Sequence, residues 1–429
     1  MTNIQSKPTN AKQWLAYIEA QHPTAIAMGL DRVAAVAKNL QLKPIFPIIT
    51  VAGTNGKGST CALLSQVYIK AGYRVGCYTS PHLMRYNERV RVNNVEISDD
   101  DLCIAFEAIE QARGNIALTY FEIGTLAAMW HFCQAHLDVV ILEVGLGGRL
   151  DAVNIFNPSC SIVTTIDLDH MDYLGDTREK IGFEKAGIFR KGALAICGDE
   201  NPPQSLIDYA EEVHAPLCLI KRDFSVKKTT QHWQYLAENF ELTLPNLAMH
   251  GDFQLNNAAC VVCAMQYLNN VLPVSQANVH AAFQSVTLIG RFYQIQSQPT
   301  VIVDVAHNPH AAISLAHNLQ TTTSAGKTFA VFAMLADKDI EGVVQVVAPN
   351  IHQWFIADNH SPRGAKAFDL NQKIIKNDPK SVVNAFADVS SALISACKTA
   401  TKNDRIIVFG SFYTVADAMN TILQSGIAK

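Results

Sequence analysis

The sequence predicts two α/β domains: a P-loop mononucleotide-binding domain with a mostly parallel sheet, followed by a smaller Rossmann-like domain. A chain of 429 residues is too long to fold around one ordinary hydrophobic core. Short β-branched runs alternate with helical segments between about residues 47 and 216, and this alternation begins again near residue 299. A glycine-rich segment at residues 51–60 lies between a predicted strand and a predicted helix. We expect the two domains to span residues 1–296 and 297–429.

The elements of the first domain follow from the spacing of its apolar residues. The first fifty residues are expected to form two helices, around Trp14 and around Val36, because apolar residues recur there at helical spacing. Continuous apolar runs further along indicate buried strands of a parallel sheet. These strands cover residues 47–51, 74–78, 138–143, 161–166 and 193–197, and helices are expected at residues 61–71, 99–111, 122–135, 251–268 and 276–285.

Two further segments complete this prediction. Residues 225–244 alternate between polar and apolar, which predicts antiparallel strands at an edge of the sheet. Residues 290–297 are the expected hinge. The strands predicted for the second domain cover residues 300–304, 329–333, 354–357 and 405–409.

Composition limits the classes of function. The hydrophobic fraction is 49% and the charged fraction 17%, as in globular proteins, and 34 basic minus 38 acidic residues give a net charge of −4. This balance is not typical of nucleic-acid-binding proteins. The polar start lacks a signal-peptide core, and no apolar run approaches membrane-spanning length. Ten scattered cysteines, including the pair Cys260 and Cys263, fit core thiols in a reducing compartment. We therefore expect a cytoplasmic protein that binds neither nucleic acid nor a membrane.

The glycine-rich segment predicts a phosphate-binding loop of a variant type. Glycines let backbone N–H groups turn toward one anion, while Lys57 and the start of a helix supply positive charge. Val51 stands where the usual pattern has its first glycine, and Gly58 follows the lysine where a hydroxyl is usual. The hydroxyls come later, at Ser59 and Thr60. The alternative is a glycine-rich turn with a solvated lysine.

Polar residues follow three other strands of the first domain. A hydroxyl (Ser80), a carboxylate (Glu143) and an imidazole (His170) would meet near the phosphate loop, because parallel strands end at one edge. Glu143 closes a buried strand, where a carboxylate needs a cation or hydrogen bonds. Magnesium bound to phosphate oxygens would satisfy it. His170 could instead be an ordinary loop histidine, and the glycines that follow Glu143 could be ordinary turn residues.

Several separated blocks together resemble the Mur ligase superfamily and, within it, the folylpolyglutamate synthases, including the bifunctional bacterial dihydrofolate synthase/folylpolyglutamate synthases. They run in order through nearly the whole chain. The blocks are residues 53–59 (GTNGKGS), 79–83 (TSPHL), 85–90 (RYNERV), 142–151 (LEVGLGGRLD), 168–170 (LDH), 184–188 (EKAGI), 290–292 (GRF) and 304–309 (DVAHNP). The resemblance implies a Mur ligase-like two-domain fold.

The resemblance also implies an ATP site with magnesium, in two sites, and a monovalent cation. Lys57, Lys185 and His170 would be catalytic, and Ser80, Glu143 and His170 would bind the metal. Lys185 would be carbamylated; the alternatives are a phosphate-neutralising lysine or one on a helix surface. The implied ATP-binding residues are Gly53, Thr54, Asn55, Gly56, Lys57, Gly58, Ser59, Thr60, Asn257, Arg291, Asp304 and His307.

The activity implied is ATP-dependent ligation of L-glutamate to dihydropteroate and to tetrahydrofolates through an acyl phosphate, by a monomer that forms ADP. The implied pterin-binding residues are Ile26, Ala27, Met28, Arg85, Thr119, Tyr120, Phe121, Glu122, Leu150, Asp151 and Ala152. Lys338, Arg363 and Ser411 follow second-domain strands and are candidates for binding glutamate, or else solvated loop residues. The alternatives are a monofunctional folylpolyglutamate synthase, another Mur-type amino-acid ligase, a P-loop kinase or ATPase, and a non-catalytic nucleotide-binding regulator.

Overall fold

The structure, a computed structural model, describes residues 8–22, 24 and 26–425 and divides into two compact units. Unit 1 comprises Met1–Asn246 and Leu255–Val286, and unit 2 comprises Leu247–Gln254 and Thr287–Lys429. The domain boundary that we draw after residue 296 stays a prediction. No helix within the described ranges is both long and apolar enough to cross a bilayer.

Unit 1 is built on an eight-stranded sheet with the strand order β4-β3-β2-β5-β1-β6-β7-β8. Its strands are β1 (Ile48–Ala52), β2 (Val75–Tyr78), β3 (Val90–Val92), β4 (Val95–Glu96), β5 (Val139–Glu143), β6 (Cys160–Val163), β7 (Leu194–Cys197) and β8 (Leu217–Leu219). The pairs β2–β5, β5–β1, β1–β6, β6–β7 and β7–β8 are parallel, whereas the pairs β2–β3 and β3–β4 at one edge are antiparallel. The predicted mostly parallel sheet is therefore confirmed, and β2, β5, β1 and β6 end side by side.

The helices cover the sheet and present their apolar sides to it. They are α1 (Ala11–Glu19), α2 (Asp31–Asn39), α3 (Lys57–Lys70), α4 (Asp99–Arg113), α5 (Tyr120–Gln134), α6 (Met171–Leu174), α7 (Arg178–Ala186), α8 (Gln204–Glu212), α9 (Phe253–Leu268) and α10 (Gln276–Phe283). Every residue of β1 and β5 is buried, as continuous apolar runs in a covered parallel sheet require. Short 3₁₀ turns occur at Tyr86–Arg89 and Ala152–Ile155 in this unit and at Ala348–Asn350 in unit 2.

Two sequence predictions in unit 1 need correction. The strands within residues 225–244 are not at an edge of the main sheet but form a separate antiparallel sheet of β9 (Phe224–Lys228), β10 (His232–Ala237) and β11 (Phe240–Pro245). The apolar face of that sheet is buried on α10, where Trp233 stacks on Phe283 at 6.1 Å between ring centroids. The strand expected at residues 161–166 ends at Val163, because the next residues bond to the phosphate loop instead.

Unit 2 is a six-stranded sheet with the order β12-β13-β17-β14-β15-β16, parallel except for the β12–β13 pair. Its strands are β12 (Tyr293–Ser297), β13 (Thr300–Asp304), β14 (Thr328–Phe332), β15 (Gln353–Ala357), β16 (Val383–Phe386) and β17 (Arg405–Phe409). Its helices are α11 (Pro309–Thr321), α12 (Ile340–Val347), α13 (Ala367–Asn377), α14 (Val389–Thr399) and α15 (Phe412–Ser425). The four predicted strands are present, but the expected hinge contains β12, which pairs with β13.

Candidate active site

The phosphate loop needs glycine at two positions for reasons of space and backbone conformation. Gly53 has φ 147° and Gly56 has φ 91°, in the region that favours glycine. A Cβ on Gly53 would lie 1.8 Å from Thr164 Oγ1, and one on Gly56 would lie 2.6 Å from Asn257 Oδ1. Side chains from two other elements therefore touch the loop backbone. The predicted ATP-binding residue Asn257, on α9, is one of them.

Residues after β6 hold this loop in place. Thr54 N–H donates to Thr165 O at 2.7 Å, and Asn55 N–H donates to Thr165 Oγ1 at 3.1 Å. Thr164 Oγ1 in turn donates to Asn55 O at 2.6 Å. The sequence analysis missed both threonines, since their partners lie far away along the chain.

Lys57 is the first residue of α3 and folds back over the loop. Its Nζ donates to Gly53 O at 3.0 Å and to Thr54 O at 3.3 Å. An ammonium, the positive end of a helix and glycine backbone N–H groups thus share one small region. This combination suits a phosphate.

Glu143 and Ser80 lie beside the same loop, as predicted from the strand ends. Glu143 is 4% exposed, and its Oε2 accepts a hydrogen bond from Ser80 N at 3.1 Å. Its carboxylate oxygens lie 3.9 Å from where a Cβ of Gly58 would be, in the first turn of α3. A buried carboxylate next to the phosphate loop fits a bound cation.

His170 lies in a left-handed conformation, with φ 51°, at the start of α6. Its backbone N–H donates to Asp169 Oδ1 at 2.8 Å. In the described part of the chain, no three His, Cys, Asp or Glu side chains are grouped so that they could hold a metal. The predicted ligands Ser80, Glu143 and His170 include only two side chains of those types, so a metal held by them would also draw on ligand phosphates. Magnesium fits this donor set, because it usually takes few protein ligands together with phosphates and water.

Lys185 lies near this region in the last turn of α7. It is 3% exposed, and burial together with the charge of Lys57 lowers its pKa to about 7, while Asp169 acts in the opposite sense. A Cβ on Gly148 would lie 2.7 Å from Glu184 O. The glycine turn after β5 is therefore packed directly on α7, and glycine permits this contact.

The predicted pterin residues come from segments that the structure brings together. Thr119 and Glu122 cap α5 reciprocally: Thr119 N–H donates to Glu122 Oε2 at 2.7 Å, and Glu122 N–H donates to Thr119 Oγ1 at 3.2 Å. Arg32 Nη2 lies 3.1 Å from Glu122 Oε1 and donates to Ala27 O at 2.8 Å. Arg32, which the sequence analysis missed, thus ties residues 26–28 to the start of α5.

The glycine turn after β5 joins these segments. A Cβ on Gly145 would lie 2.6 Å from the Phe121 ring, and one on Gly147 would lie 4.0 Å from Met28 Cε. Asp151 accepts hydrogen bonds from Leu146 N at 2.8 Å and Val153 N at 3.1 Å. Burial raises the pKa of Asp151 to about 7, although these backbone N–H groups favour the charged form. Leu150 and Ala152 flank it in the same turn.

Arg85 and Tyr120 lie in different surroundings. The Arg85 side chain is 61% exposed and pairs with Asp99 at 3.2 Å. Tyr120 packs edge-on against Tyr86 at 5.5 Å, and the Arg89 guanidinium lies 5.6 Å from the Tyr120 ring centroid. Arg89 is a further residue that the sequence analysis missed, although it lies in a quoted block.

In unit 2, Arg291, Asp304 and His307 are gathered at the end of β13. Asp304 accepts hydrogen bonds from Phe292 N and Ala306 N, both at 2.8 Å. Burial raises its pKa, and the Arg291 charge acts against that rise. His307 Nδ1 lies 2.7 Å from Val305 O. The three predicted ATP-binding residues of this unit are therefore close neighbours.

The glutamate candidates follow strands that end on one side of the unit 2 sheet. Leu335 and Gly364 form a β-bridge, which places Lys338 and Arg363 on adjacent loops. Arg363 Nη1 lies 2.8 Å from Asp337 Oδ2. Ser411 is 3% exposed and shares hydrogen bonds with Asn359 and Thr414. The Ser411 hydroxyl therefore belongs to an internal network.

Comparisons with known proteins agree with this arrangement. The Mur ligase middle domain model matches residues 51–265, and the Mur ligase glutamate ligase domain model matches residues 290–412. The chain is 42% identical over 437 residues to the dihydrofolate synthase/folylpolyglutamate synthase of Haemophilus influenzae, covering 97% of this chain and 99% of the relative.

Two solved structures are similar over nearly the whole chain. E. coli FolC in complex with DHPP and ADP has a TM-score of 0.93 at 42% identity and covers 97% of this chain and 99% of its own. A bifunctional folylpolyglutamate synthase/dihydrofolate synthase with Mn, AMPPNP and L-glutamate bound has a TM-score of 0.88 at 42% identity, with coverages of 97% and 98%. The chain therefore belongs to the dihydrofolate synthase/folylpolyglutamate synthase family of Mur ligases.

Proposed function

We propose that this protein is an ATP-dependent carboxylate–amine ligase that adds L-glutamate to dihydropteroate and to tetrahydrofolates. The observation that carries the proposal is the phosphate loop with Lys57 folded over it, next to the buried Glu143. Phe121 and Asp151, which both contact the glycine turn after β5, lie in the same unit as the phosphate loop. Relatives with DHPP, ADP and L-glutamate bound support these substrates.

The phosphate loop would act by binding and orienting ATP. Its backbone N–H groups, Lys57 and the start of α3 would offset the charge of the triphosphate as a substrate carboxylate attacks the γ-phosphorus. ADP leaves, and an acyl phosphate forms. The α-amine of glutamate then attacks the acyl carbon, the amide bond forms and phosphate leaves. Both steps bring anions together, so positive charge that is already in place is the main requirement.

Ser80, Glu143 and His170 would hold Mg²⁺, which neutralises charge on phosphate oxygens when it is bound. A second magnesium site and a monovalent cation remain part of the proposal. Lys185 would become a carbamate, since a buried amine with a pKa of about 7 is available in its neutral form. A carbamate would place a carboxylate-like group where the lysine now lies.

The pterin would bind between residues 26–28, the start of α5 and the turn that follows β5. Phe121 offers an aromatic face, and Asp151 offers carboxyl oxygens for ring N–H groups. We leave Arg85 out of this site because its side chain pairs with Asp99. Arg291, Asp304 and His307 remain our proposal for further ATP contacts. Lys338 and Arg363 remain our proposal for glutamate, with Ser411 as a supporting residue.

One assay tests this function. Purified protein receives ATP, Mg²⁺ and L-glutamate, with dihydropteroate, with tetrahydrofolate or with neither, and both ADP and ligated product are measured. We expect one ADP for each glutamate ligated, with each pterin substrate. Product with tetrahydrofolate alone would indicate a monofunctional synthase. ADP release that needs neither pterin would contradict the ligase assignment, and full activity of Glu143→Ala would contradict the magnesium site.

A further inference from the structure

We propose that Arg178 and Asp199 are positioning residues that fix the loop between β6 and α6 against the phosphate loop. This loop carries Asp169 and His170, so the inference rests on the proposed function. The pair was not among the candidate site residues of the sequence analysis. Its hydrogen-bond partners Ile166 and Asn201 lie next to the proposed site.

Both backbone polar groups of Ile166 are held by this ion pair. Asp199 Oδ2 accepts a hydrogen bond from Ile166 N at 2.7 Å, and Arg178 Nε donates to Ile166 O at 2.8 Å. Arg178 Nη2 also donates to both carboxylate oxygens of Asp199, each at 3.0 Å. Ile166 is 2% exposed, so its peptide groups would be costly to bury without these partners.

The pair is itself anchored at the end of β7. Asp199 Oδ1 accepts a hydrogen bond from Asn201 N at 2.9 Å, and Arg178 Nη2 donates to Asn201 O at 3.0 Å. Asp199 is 8% exposed. These donors hold the Asp199 carboxylate in one orientation. The carboxylate in turn fixes the Arg178 guanidinium and the Ile166 N–H group that donate to it.

Asp167, which follows Ile166, is bonded directly to the phosphate loop. Asp167 N–H donates to Thr54 Oγ1 at 3.0 Å, and Thr54 Oγ1 donates to Asp167 O at 3.1 Å. Residues 164–169 form neither helix nor strand, so hydrogen bonds from outside the segment must set their path. Arg178 also begins α7, the helix that carries Lys185. One ion pair thus connects the His170 loop, the phosphate loop and α7.

The test compares Asp199→Ala and Arg178→Met with the conservative variant Asp199→Asn, which keeps an acceptor for Ile166 N–H. The matched control is Lys180→Met, on the same helix, because it breaks an exposed pair with Asp176 at 2.9 Å. Calorimetry measures the affinity of each variant for ADP with and without Mg²⁺, and thermal unfolding is followed in parallel. Ligase activity of the wild-type protein is measured separately.

Substitution of residues that support metal ligands typically lowers metal affinity or activity by roughly 10–100-fold. We expect Asp199→Ala and Arg178→Met to weaken the Mg²⁺-dependent part of ADP binding by about that factor, with Asp199→Asn closer to wild type and Lys180→Met unchanged. A lower unfolding temperature with unchanged Mg²⁺ dependence in the folded variants would overturn the proposal. So would equal losses in Asp199→Asn and Asp199→Ala. A wild-type protein that binds MgADP but ligates nothing would refute the proposed function and leave this test intact.

Discussion

The buried Lys185 leads to a quantitative prediction about carbamylation. Carbon dioxide reacts with the neutral amine, and an ordinary lysine with a pKa near 10.5 is only about 0.3% neutral at pH 8. With its pKa lowered to about 7, Lys185 is about nine-tenths neutral at that pH. The reactive form is therefore about 300-fold more abundant at Lys185 than at a lysine with the ordinary pKa.

The measurement is carbon-13 NMR of the protein in labelled bicarbonate between pH 6 and 9. We expect one slowly exchanging carbamate resonance that grows between pH 6 and 8 and is missing from Lys185→Met. Because burial disfavours the charged amine, Lys185 destabilises the folded state most strongly below pH 7, where it is protonated in both the folded and the unfolded chain. This destabilisation decreases as the pH rises from 7 toward 10.5, where the amine is neutral in the folded chain. The free energy of unfolding of the wild type relative to Lys185→Met should therefore rise over that range. A resonance absent at pH 8 with saturating bicarbonate, or retained in Lys185→Met, would refute the reasoning.

Three further predictions concern the proposed substrate sites. Gly145→Ala places a Cβ 2.6 Å from the Phe121 ring, so we expect the KM for dihydropteroate to rise by an amount equivalent to about 1–3 kcal/mol, while calorimetry shows unchanged ADP affinity. Arg32→Met removes the partner of Glu122, which is 4% exposed; urea unfolding should show a loss of about 1–3 kcal/mol and assays a higher KM for dihydropteroate. Arg85→Met is the control for Arg32→Met because it breaks an exposed ion pair, and it should lower the free energy of unfolding by less than about 1 kcal/mol and leave the KM for dihydropteroate unchanged. A larger effect of Arg85→Met than of Arg32→Met on that KM would contradict the proposed pterin site. Ser411→Ala should lower the free energy of unfolding by about 1–3 kcal/mol, because Asn359 and Thr414 lose a buried hydrogen-bond partner. Lys338→Met should instead raise only the KM for glutamate. A normal KM for glutamate in Lys338→Met would exclude Lys338 from the glutamate site.

Local patterns were sufficient for the longer apolar strands and for the phosphate loop. The runs at β1, β5 and β17 are mostly apolar, with Thr50, Glu143 and Arg405 as exceptions, because both faces of each strand are covered, so their type and place follow from local sequence. Gly53 and Gly56 were recognisable in the same way, because a strand, a glycine turn and a helix lie next to each other in sequence. The residues at strand ends could also be expected to meet, as Ser80 and Glu143 do.

Short or weakly patterned elements were not predictable. Strands β3, β4 and β8 have three residues or fewer, which is too short for a periodic signal. The sequence predicts a hinge at the position of β12, and it is the pairing with β13 that makes this mostly polar segment a strand. The alternation in β9–β11 predicts antiparallel strands, and these are present. It could not say that they form a separate sheet packed on α10.

The sequence alone determined the order of the strands and helices that carry the site and the chemistry of the loop at residues 53–60, because both depend on neighbours along the chain. Tertiary structure decided which distant groups meet: the threonines after β6 hold that loop, Arg32 pairs with Glu122 at the start of α5, and Arg178 pairs with Asp199 beside Ile166. These contacts join residues that are far apart in sequence, and each partner by itself is an unremarkable polar side chain. Their roles come from the burial and hydrogen bonding that only the packed sheet creates.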